Sequence, residues 1–268
     1  MGSNPTEDTE NVIPALLDVG VHPPHLRERA ISLKSAGVPF TEIYRTLGLS
    51  RNTVACWLYS SRAKNIKIDK RCPFCTVPAR PIDQPGAYAY LLGMYLGDGH
   101  LLMTARVPVL KVACDLRYPG LINEVGLAML ACGARTVGHQ AHEGRDDVRS
   151  LWKHWPCLLP QHGPGKKHDR PIELTNWQQA IVDEFPGRFL RGLFHSDGCR
   201  FDNRVLRNGK AYCYPRYTFV NKSADIMGLC QQSLDRLGVG WRMCSRIQLS
   251  VARRDGVAVL DEHVGPKF

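Results

Sequence analysis

The N-terminal part of the chain contains three short segments in which apolar residues recur at helical spacing. Residues that recur every three or four positions lie on one face of a helix. A glycine follows each of the first two segments, and Ser50 precedes the third as a predicted N-cap. The pattern therefore predicts three helices, at His25–Ala36, Phe40–Leu47 and Arg51–Arg62.

The rest of the chain predicts the same succession of elements twice. Val109–Cys114 alternates as a strand does, and Leu121–Cys132 predicts a helix that ends before a glycine. Arg216–Val220 and Asp225–Leu237 predict the second strand and the second helix. We expect each half to close on a similar segment, Arg145-Asp146-Asp147-Val148 with Leu151 and Arg254-Asp255-Gly256-Val257 with Leu260. A duplicated half of roughly one hundred residues is therefore predicted.

A nine-residue motif of the first half recurs ninety-nine positions later, with its Leu, Gly, Asp and Gly positions identical. The copies read Leu91-Leu92-Gly93-Met94-Tyr95-Leu96-Gly97-Asp98-Gly99 and Leu190-Arg191-Gly192-Leu193-Phe194-His195-Ser196-Asp197-Gly198. Small residues four positions apart allow two helices to approach closely. An aspartate at the end of each helix would put two carboxylates side by side, which favours divalent metal ions and phosphodiester cleavage. A pair of buried amphipathic helices ending in Asp-Gly turns is the alternative.

The two copies resemble the LAGLIDADG motif of homing endonucleases, in the single-chain form with two motifs. The resemblance implies an α+β fold of two αββαββα halves related by a pseudo-two-fold axis, with the motif helices between them. It also implies that double-stranded DNA lies across a saddle of antiparallel strands and that the chain acts as a monomer. Asp98 and Asp197 stand at the acidic positions, so the resemblance implies that they bind Mg²⁺ or Mn²⁺ and are catalytic.

Other residues become catalytic candidates by their rough position in the family's half-domain. Asn221 and Lys222 follow a predicted strand, and Arg253 or Arg254 precedes the closing helix. Charge that develops on a phosphate needs a nearby cation and a polar group that orients water. Solvated surface charge and plain phosphate contacts are the alternative interpretations of these residues.

The three N-terminal helices resemble a helix-turn-helix of the resolvase type, with a tight glycine turn before the third helix. A third helix of this kind enters the major groove of DNA. A small helical bundle for protein contacts is the alternative. The DNA contacts expected on this module are Arg51, Asn52, Thr53, Cys56, Tyr59 and Arg62. In the repeat, they are Arg204, Arg207 and Lys210 in a long hairpin and Lys166 and Lys167 in a linker.

The charge of the chain favours a polyanionic partner. The chain has 35 Lys and Arg residues against 25 Asp and Glu residues, a formal net charge of +10. Such an excess favours nucleic acid by counterion release and specifies no sequence. No apolar run reaches the ~18 residues of a membrane span, and the acidic N-terminus predicts no secretion signal. Ten scattered cysteines favour a reducing cytoplasm. The family resemblance implies a nucleoid-associated protein of bacterial or phage origin.

Cysteine and histidine residues that precede the two motifs predict a second metal site. Cys72 and Cys75 form half of a zinc-ligand pattern, and Cys157 and His162 lie between the halves. A tetrahedron of these four residues would suit Zn²⁺. The alternative is a reduced cysteine pair in a turn and a loop rich in glycine and proline.

The domain organisation leaves three functions open. The predicted segments are a flexible N-terminus at 1–22, a helix-turn-helix domain at 23–63, a basic linker with Cys-x-x-Cys at 64–84, a first half at 85–156, a linker at 157–171 and a second half at 172–268. A site-specific, metal-dependent DNA endonuclease of the intron-homing type competes with a non-cleaving transcription regulator and with an RNA-splicing maturase. Retention of both aspartates favours the endonuclease, because packing like charges together costs stability.

Overall fold

The computed structural model describes His22, Cys72 and residues 24–59, 82–103 and 106–268. The chain divides into two compact units, Met1–Lys70 and Arg71–Phe268. No helix in these described ranges is long and apolar enough to cross a membrane. Two residues of the sequence predictions, Arg62 and Cys75, lie outside the described part.

The described residues of the first unit form three helices around a small core. They are α1 (Pro24–Ser35), α2 (Phe40–Thr46) and α3 (Arg51–Tyr59). Each helix contributes one fully buried side chain, and these are Ala30, Ile43 and Val54. The Ser50 hydroxyl accepts a hydrogen bond from the Thr53 backbone N–H at 3.1 Å, so the predicted N-cap of α3 is confirmed.

In the second unit, the order helix, strand, strand, helix, strand, strand, helix occurs twice. The first copy is α4 (Pro85–Gly97), β1 (Gly99–Leu102), β2 (Val109–Asp115), α5 (Pro119–Ala131), β3 (Gly138–His142), β4 (Arg145–Leu151) and α6 (Trp155–Leu158). After α7 (Asn176–Glu184), the second copy is α8 (Pro186–Asp197), β5 (Gly198–Arg207), β6 (Lys210–Val220), α9 (Ala224–Arg236), β7 (Arg242–Ser245), β8 (Gln248–Val251) and α10 (Arg254–His263). The predicted pair of αββαββα halves is confirmed.

The two antiparallel sheets have the same topology. Their strand orders are β1-β2-β4-β3 and β5-β6-β8-β7. Gly99 pairs with Val112 in the first sheet, and Gly198 pairs with Phe219 in the second. Because both glycines follow a motif aspartate, these pairs are equivalent, and they fix which residues of the two halves correspond. Alternate strand residues such as Val112 and Phe219 are buried on the core face, which leaves the other face of each sheet to solvent.

One predicted correspondence between the halves is wrong. Arg145–Leu151 forms strand β4, which pairs with β2, whereas Arg254–Leu260 lies in helix α10. The true counterpart of β4 is β8, and the true counterpart of α10 is α6. Four matching residues are too few to distinguish the two-residue period of a strand from the 3.6-residue period of a helix. The sequence similarity of the two segments therefore did not indicate their conformation.

The motif helices α4 and α8 pack backbone against backbone. A Cβ atom added to Gly93 would lie 2.5 Å from the carbonyl oxygen of Phe189 and 2.8 Å from the backbone nitrogen of Leu193. A Cβ on Gly192 would lie 2.8 Å from the backbone nitrogen of Met94. Distances this short leave no room for any side chain at either position. The close approach predicted from the small residues is confirmed, and it brings the ends of both helices together.

Candidate active site

The two motif aspartates lie at the adjacent ends of α4 and α8. Asp98 is the C-cap of α4, and Asp197 is the last residue of α8. A Cβ on Gly97 would lie 3.1 Å from Oδ2 of Asp197, so the end of α4 lies against that carboxylate. Asp98 reaches solvent, but surrounding protein partly desolvates it, and this desolvation together with the charge of Asp197 raises the pKa of its carboxyl to about 6. Desolvation also raises the pKa of Asp197. The arrangement therefore favours a cation beside the pair.

A lysine ammonium binds the carbonyl groups at the end of the first motif helix. Lys167 Nζ donates hydrogen bonds to the carbonyl oxygens of Tyr95, of Gly97 at 2.8 Å and of Gly99 at 2.6 Å. Burial lowers the pKa of Lys167 to about 8, although the charges of Asp197 and Asp98 oppose this shift. The sequence predicted that Lys167 contacts DNA, but the side chain turns inward, whereas that of Lys166 is exposed.

A second lysine occupies the equivalent place on the other helix. Lys267 Nζ donates to the carbonyl oxygen of Ser196 at 3.2 Å. Ser196 precedes Asp197 as Gly97 precedes Asp98, so the two contacts are related by the repeat. Burial lowers the pKa of Lys267, and the charges of Asp98 and Asp197 oppose that shift too. The sequence analysis missed Lys267, although the motif repeat extends to it.

Similar turns deliver the two lysines. Gly165 and Gly265 each stand two residues before the lysine and have positive φ angles of 76° and 65°, a conformation that favours glycine. Arg170 holds the first turn, since it donates to the carbonyl oxygens of Gln161 at 2.9 Å, Gly163 at 3.1 Å and Gly165 at 3.0 Å. The segment Gln161–His168 thus positions Lys167, a role that its sequence alone did not indicate.

The second turn is held from helix α8. Arg191 donates to the carbonyl oxygen of Val264 and forms a two-bond ion pair with Glu124, at 2.8 Å for each bond. His195 Nε2 lies 3.2 Å from the same carbonyl. Both residues belong to the second motif, so the helix that carries Asp197 also fixes the C-terminal tail that carries Lys267.

The acids open into two clefts with different linings. One cleft, of about 460 Å³, is lined by Asp98, Cys114 and Lys267 among others. The other, of about 540 Å³, is lined by Asp197, Asn221, Lys222 and both lysines of the inter-half turn, Lys166 and Lys167. Each cleft therefore contains one motif carboxylate and at least one ammonium group, and the first is also lined by Asp115 with its ion-pair partner Arg117.

The predicted catalytic residues divide into two groups. Asn221 Nδ2 donates to Oδ2 of Asp197 at 2.7 Å, and Lys222 lines the same cleft. Arg253 lies at the N-cap of α10 with its side chain exposed and 3.6 Å from where a Cβ on Gly240 would stand, and it lines neither cleft. Arg253 therefore lies outside both clefts, whereas Lys167 and Lys267, which line them, come from the turns at residues 165–167 and 265–267.

The register of each sheet identifies the side chains on its solvent face. Most of those in the first sheet are polar, and they include Lys111, Gln140, Arg145 and Arg149. Those in the second sheet include Arg207, Lys210, Arg216, Arg242 and Gln248. Arg207 and Lys210 therefore share a face, whereas Arg204 alternates to the opposite one. Sequence analysis could not assign most of these residues because it did not fix the strand register.

The hairpin of β5 and β6 extends further than its counterpart and is exposed on both faces. Arg204 and Leu206 are exposed, the latter by 79 %. Tyr212 and Tyr214 stack with their ring centroids 6.2 Å apart, and Lys210 Nζ lies 5.9 Å from the centroid of the Tyr212 ring. The predicted long hairpin is confirmed, and it presents aromatic and basic groups together.

A separate cluster of metal-binding residue types lies around α6. Cys72, His154 and Cys157 have potential ligand atoms that all lie within 4.8 Å of one another. The sequence predicted Cys72 and Cys157 for this site, but the histidine that lies beside them is His154. The predicted ligand His162 instead has Nδ1 3.2 Å from the carbonyl oxygen of Leu159 and lines a small cleft with Lys167 and Arg170.

Three observations agree with the fold predicted from the motifs. They are the repeated αββαββα order, the sheet topology and the aspartates at the ends of paired helices. The chain has the duplicated αββαββα fold that the resemblance implied. No protein-family model matches the sequence, and no curated protein is a significant match.

Three solved structures are among those similar to this chain. I-DmoI in complex with DNA and Mn is 16% identical, with 68% of this chain and 97% of that chain covered and a TM-score of 0.44. The LAGLIDADG meganuclease I-AabMI bound to uncleaved DNA is 9% identical, with coverages of 66% and 83% and a TM-score of 0.45. The N-terminal LAGLIDADG domain of WhiA is 14% identical, with coverages of 70% and 85% and a TM-score of 0.43.

Proposed function

We propose that this chain is a site-specific DNA endonuclease that makes metal-dependent double-strand breaks at a long recognition site. The observation that carries the proposal is the pair of carboxylates at the ends of α4 and α8, each in a cleft with a lysine ammonium. A single chain supplies both halves, so a monomer suffices to cut both strands. We further propose that it acts in a bacterial cytoplasm, at the nucleoid or on phage DNA.

The donor atoms at the paired helix ends fit a hard divalent cation. Asp98 and Asp197 offer carboxylate oxygens, and Gly97 and Ser196 offer backbone carbonyl oxygens that now accept from ammonium groups. Oxygen ligands of this kind suit Mg²⁺, and Mn²⁺ accepts them as well. When bound, such an ion supplies Lewis-acid stabilisation of a phosphoryl oxygen and lowers the pKa of a bound water.

The remaining residues of the clefts have separate roles in this proposal. Asn221 fixes the orientation of the Asp197 carboxylate through its hydrogen bond. Lys167 and Lys267 provide positive charge next to the scissile phosphates, where charge increases as the P–O bond breaks. Lys222, exposed at the rim of the Asp197 cleft, neutralises a flanking phosphate.

DNA contacts are proposed for the solvent faces of both sheets and for the first unit. A face that carries Lys111, Arg149 and Arg216 can neutralise phosphates and donate to base edges. On α3, the side chains of Arg51, Asn52, Cys56 and Tyr59 are exposed, whereas Thr53 is half-buried and hydrogen bonded to Ser50. The first unit would then extend the recognised site as a helix-turn-helix module.

The test of this function is selection from a randomised duplex library in Mg²⁺, with sequencing of the bound and the cut fractions. The full chain should cut the selected site, whereas a chain that begins at Arg71 should give a shorter footprint and weaker binding. Tethered modules raise the effective concentration of each other, so loss of one lowers affinity by about 10²-fold or more. An unchanged footprint would assign α1–α3 to protein contacts, and a bound but never cut library would reject the nuclease.

A non-cleaving transcription regulator is the second candidate, because one observation favours it. Lys167 and Lys267 bring two positive charges near the two carboxylates, so the chain itself compensates part of the repulsion within the acid pair. A pure binding protein could keep such a site for stability. This candidate predicts an operator-like footprint from the same library and no cut fraction with Mg²⁺ or Mn²⁺.

A further inference from the structure

We propose that Cys72, His154 and Cys157 bind a structural Zn²⁺ ion, at a site distinct from the motif aspartates. Their potential ligand atoms lie within 4.8 Å of one another, and Cys72 Sγ lies 3.2 Å from His154 Nδ1. In a tetrahedral site with Zn–S of about 2.3 Å and Zn–N of about 2.0 Å, neighbouring ligand atoms lie about 3.5–3.8 Å apart. The three side chains therefore need only small rotations to surround one ion.

The chemistry of the cluster favours zinc over the ions proposed for the acids. Two thiolates and one imidazole are soft or borderline ligands, which select Zn²⁺ rather than Mg²⁺ or Ca²⁺. Each of the three residues is half-buried, as in closed structural sites.

The local fold presents the two ligands of the first half in a fixed geometry. His154 is the N-cap of α6, and Cys157 follows in its only turn, with the Cys157 N–H donating to the His154 carbonyl oxygen at 2.9 Å. Trp152 packs edge-on against the His154 ring, with the ring centroids 5.0 Å apart. Trp155 is fully buried and donates from Nε1 to the carbonyl oxygen of Ser150 at 3.1 Å. The core of the first half thus anchors this segment.

The consequence of the ion is a cross-link between distant parts of the chain. Cys72 precedes motif helix α4, and it lies 82 residues from His154 in sequence. A cross-link over a long loop restricts the unfolded chain and so stabilises the folded one. The site would hold the segment that enters α4 to the end of the first half.

The test measures the zinc content of the full chain, purified under reducing conditions, by inductively coupled plasma mass spectrometry. We expect one zinc per chain, with its loss in Cys72→Ser, His154→Ala and Cys157→Ser. His162→Ala and Cys199→Ser are the matched controls and should keep the ion.

Two further measurements keep the proposal testable where a variant fails to fold. Co²⁺ added to the wild-type apoprotein should give the absorption bands of tetrahedral thiolate coordination, and the metal should protect Cys72 and Cys157 from alkylation. A wild-type protein without zinc after supplementation, or zinc retained by Cys157→Ser, would overturn the proposal. A disulfide between Cys72 and Cys157 in the reduced preparation would overturn it too. DNA cleavage is not the readout, so failure of the nuclease proposal leaves this one standing.

Discussion

Asn221 donates a hydrogen bond to the Asp197 carboxylate at 2.7 Å, whereas the residue equivalent to Asn221 in the first half is Cys114. The equivalence follows from the register, because Cys114 and Asn221 each stand two residues beyond the strand residue that pairs with Gly99 or Gly198. The Cys114 thiol is buried, and burial raises its pKa to about 12, so it is a neutral and weak donor. The two acid clefts therefore have equivalent backbone positions but differ in the side chain that stands beside the motif aspartate.

This difference predicts that the two DNA strands are cut at unequal rates. A nicked circle should accumulate before linear product when a plasmid bearing the site is cut in a single turnover. Asn221→Ala should slow the faster strand by about tenfold or more, since a hydrogen bond to a charged group contributes about 1.5–3 kcal/mol. Cys114→Ala is the control and should leave both rates nearly unchanged. Equal rates for both strands in the wild type would contradict this prediction.

The two turn lysines predict a loss of rate without a comparable loss of binding. Lys167→Met and Lys267→Met should each lower the single-turnover rate by about 10²–10³-fold, because each removes a charge that stabilises the transition state. Lys166→Met is the matched control. Its exposed ammonium should affect only affinity, with a salt slope reduced by about one if it contacts phosphate. Circular dichroism checks that each variant is folded, and a folded Lys167→Met enzyme that cuts at the wild-type rate would refute the catalytic role.

The packing of the motif helices predicts opposite effects for two glycine substitutions. Gly93→Ala puts a Cβ 2.5 Å from the Phe189 carbonyl oxygen, so the helices must separate, at a cost of about 1–3 kcal/mol in the free energy of unfolding. Gly228 lies within α9 with nothing within 4 Å of an added Cβ. Gly228→Ala should therefore stabilise the protein by about 0.5–1 kcal/mol. Urea unfolding measures both changes, and a Gly93→Ala variant as stable as the wild type would disprove the close packing.

The sequence predicted the features that repeat and that have local causes. Both motif helices, the long hairpin and the N-cap at Ser50 follow from periodicity, from turn residues and from capping chemistry, all of which act over a few positions. The adjacent placement of the two aspartates was predictable because each ends a motif helix, and the two helices pack together. Lys267 was also within reach, since Gly265-Pro266-Lys267 follows Gly165-Lys166-Lys167 by 100 positions and continues the repeat.

Features that depend on tertiary contacts were not predictable. Arg253 has the right charge and rough position, but α10 begins away from the clefts, and only the fold shows this. His154 was not predictable because only the turn of α6 and the position of Cys72 bring its ring beside the two thiols. The residues on the polar face of each sheet could not be assigned without the strand register, because a shift of one residue moves every side chain to the opposite face.

The central claim, that Asp98 and Asp197 cut DNA as a pair, has one direct test. It is single-turnover cleavage in Mg²⁺ of a supercoiled plasmid that carries the selected site, with wild type, Asp98→Asn, Asp197→Asn and the double variant. Removal of a carboxylate should leave each single variant with nicking at most and the double variant with no cleavage. Footprints should persist in all three, because the charge repulsion within the pair is relieved and the DNA-facing residues are unchanged. Double-strand cutting by Asp98→Asn at the wild-type rate would contradict the account.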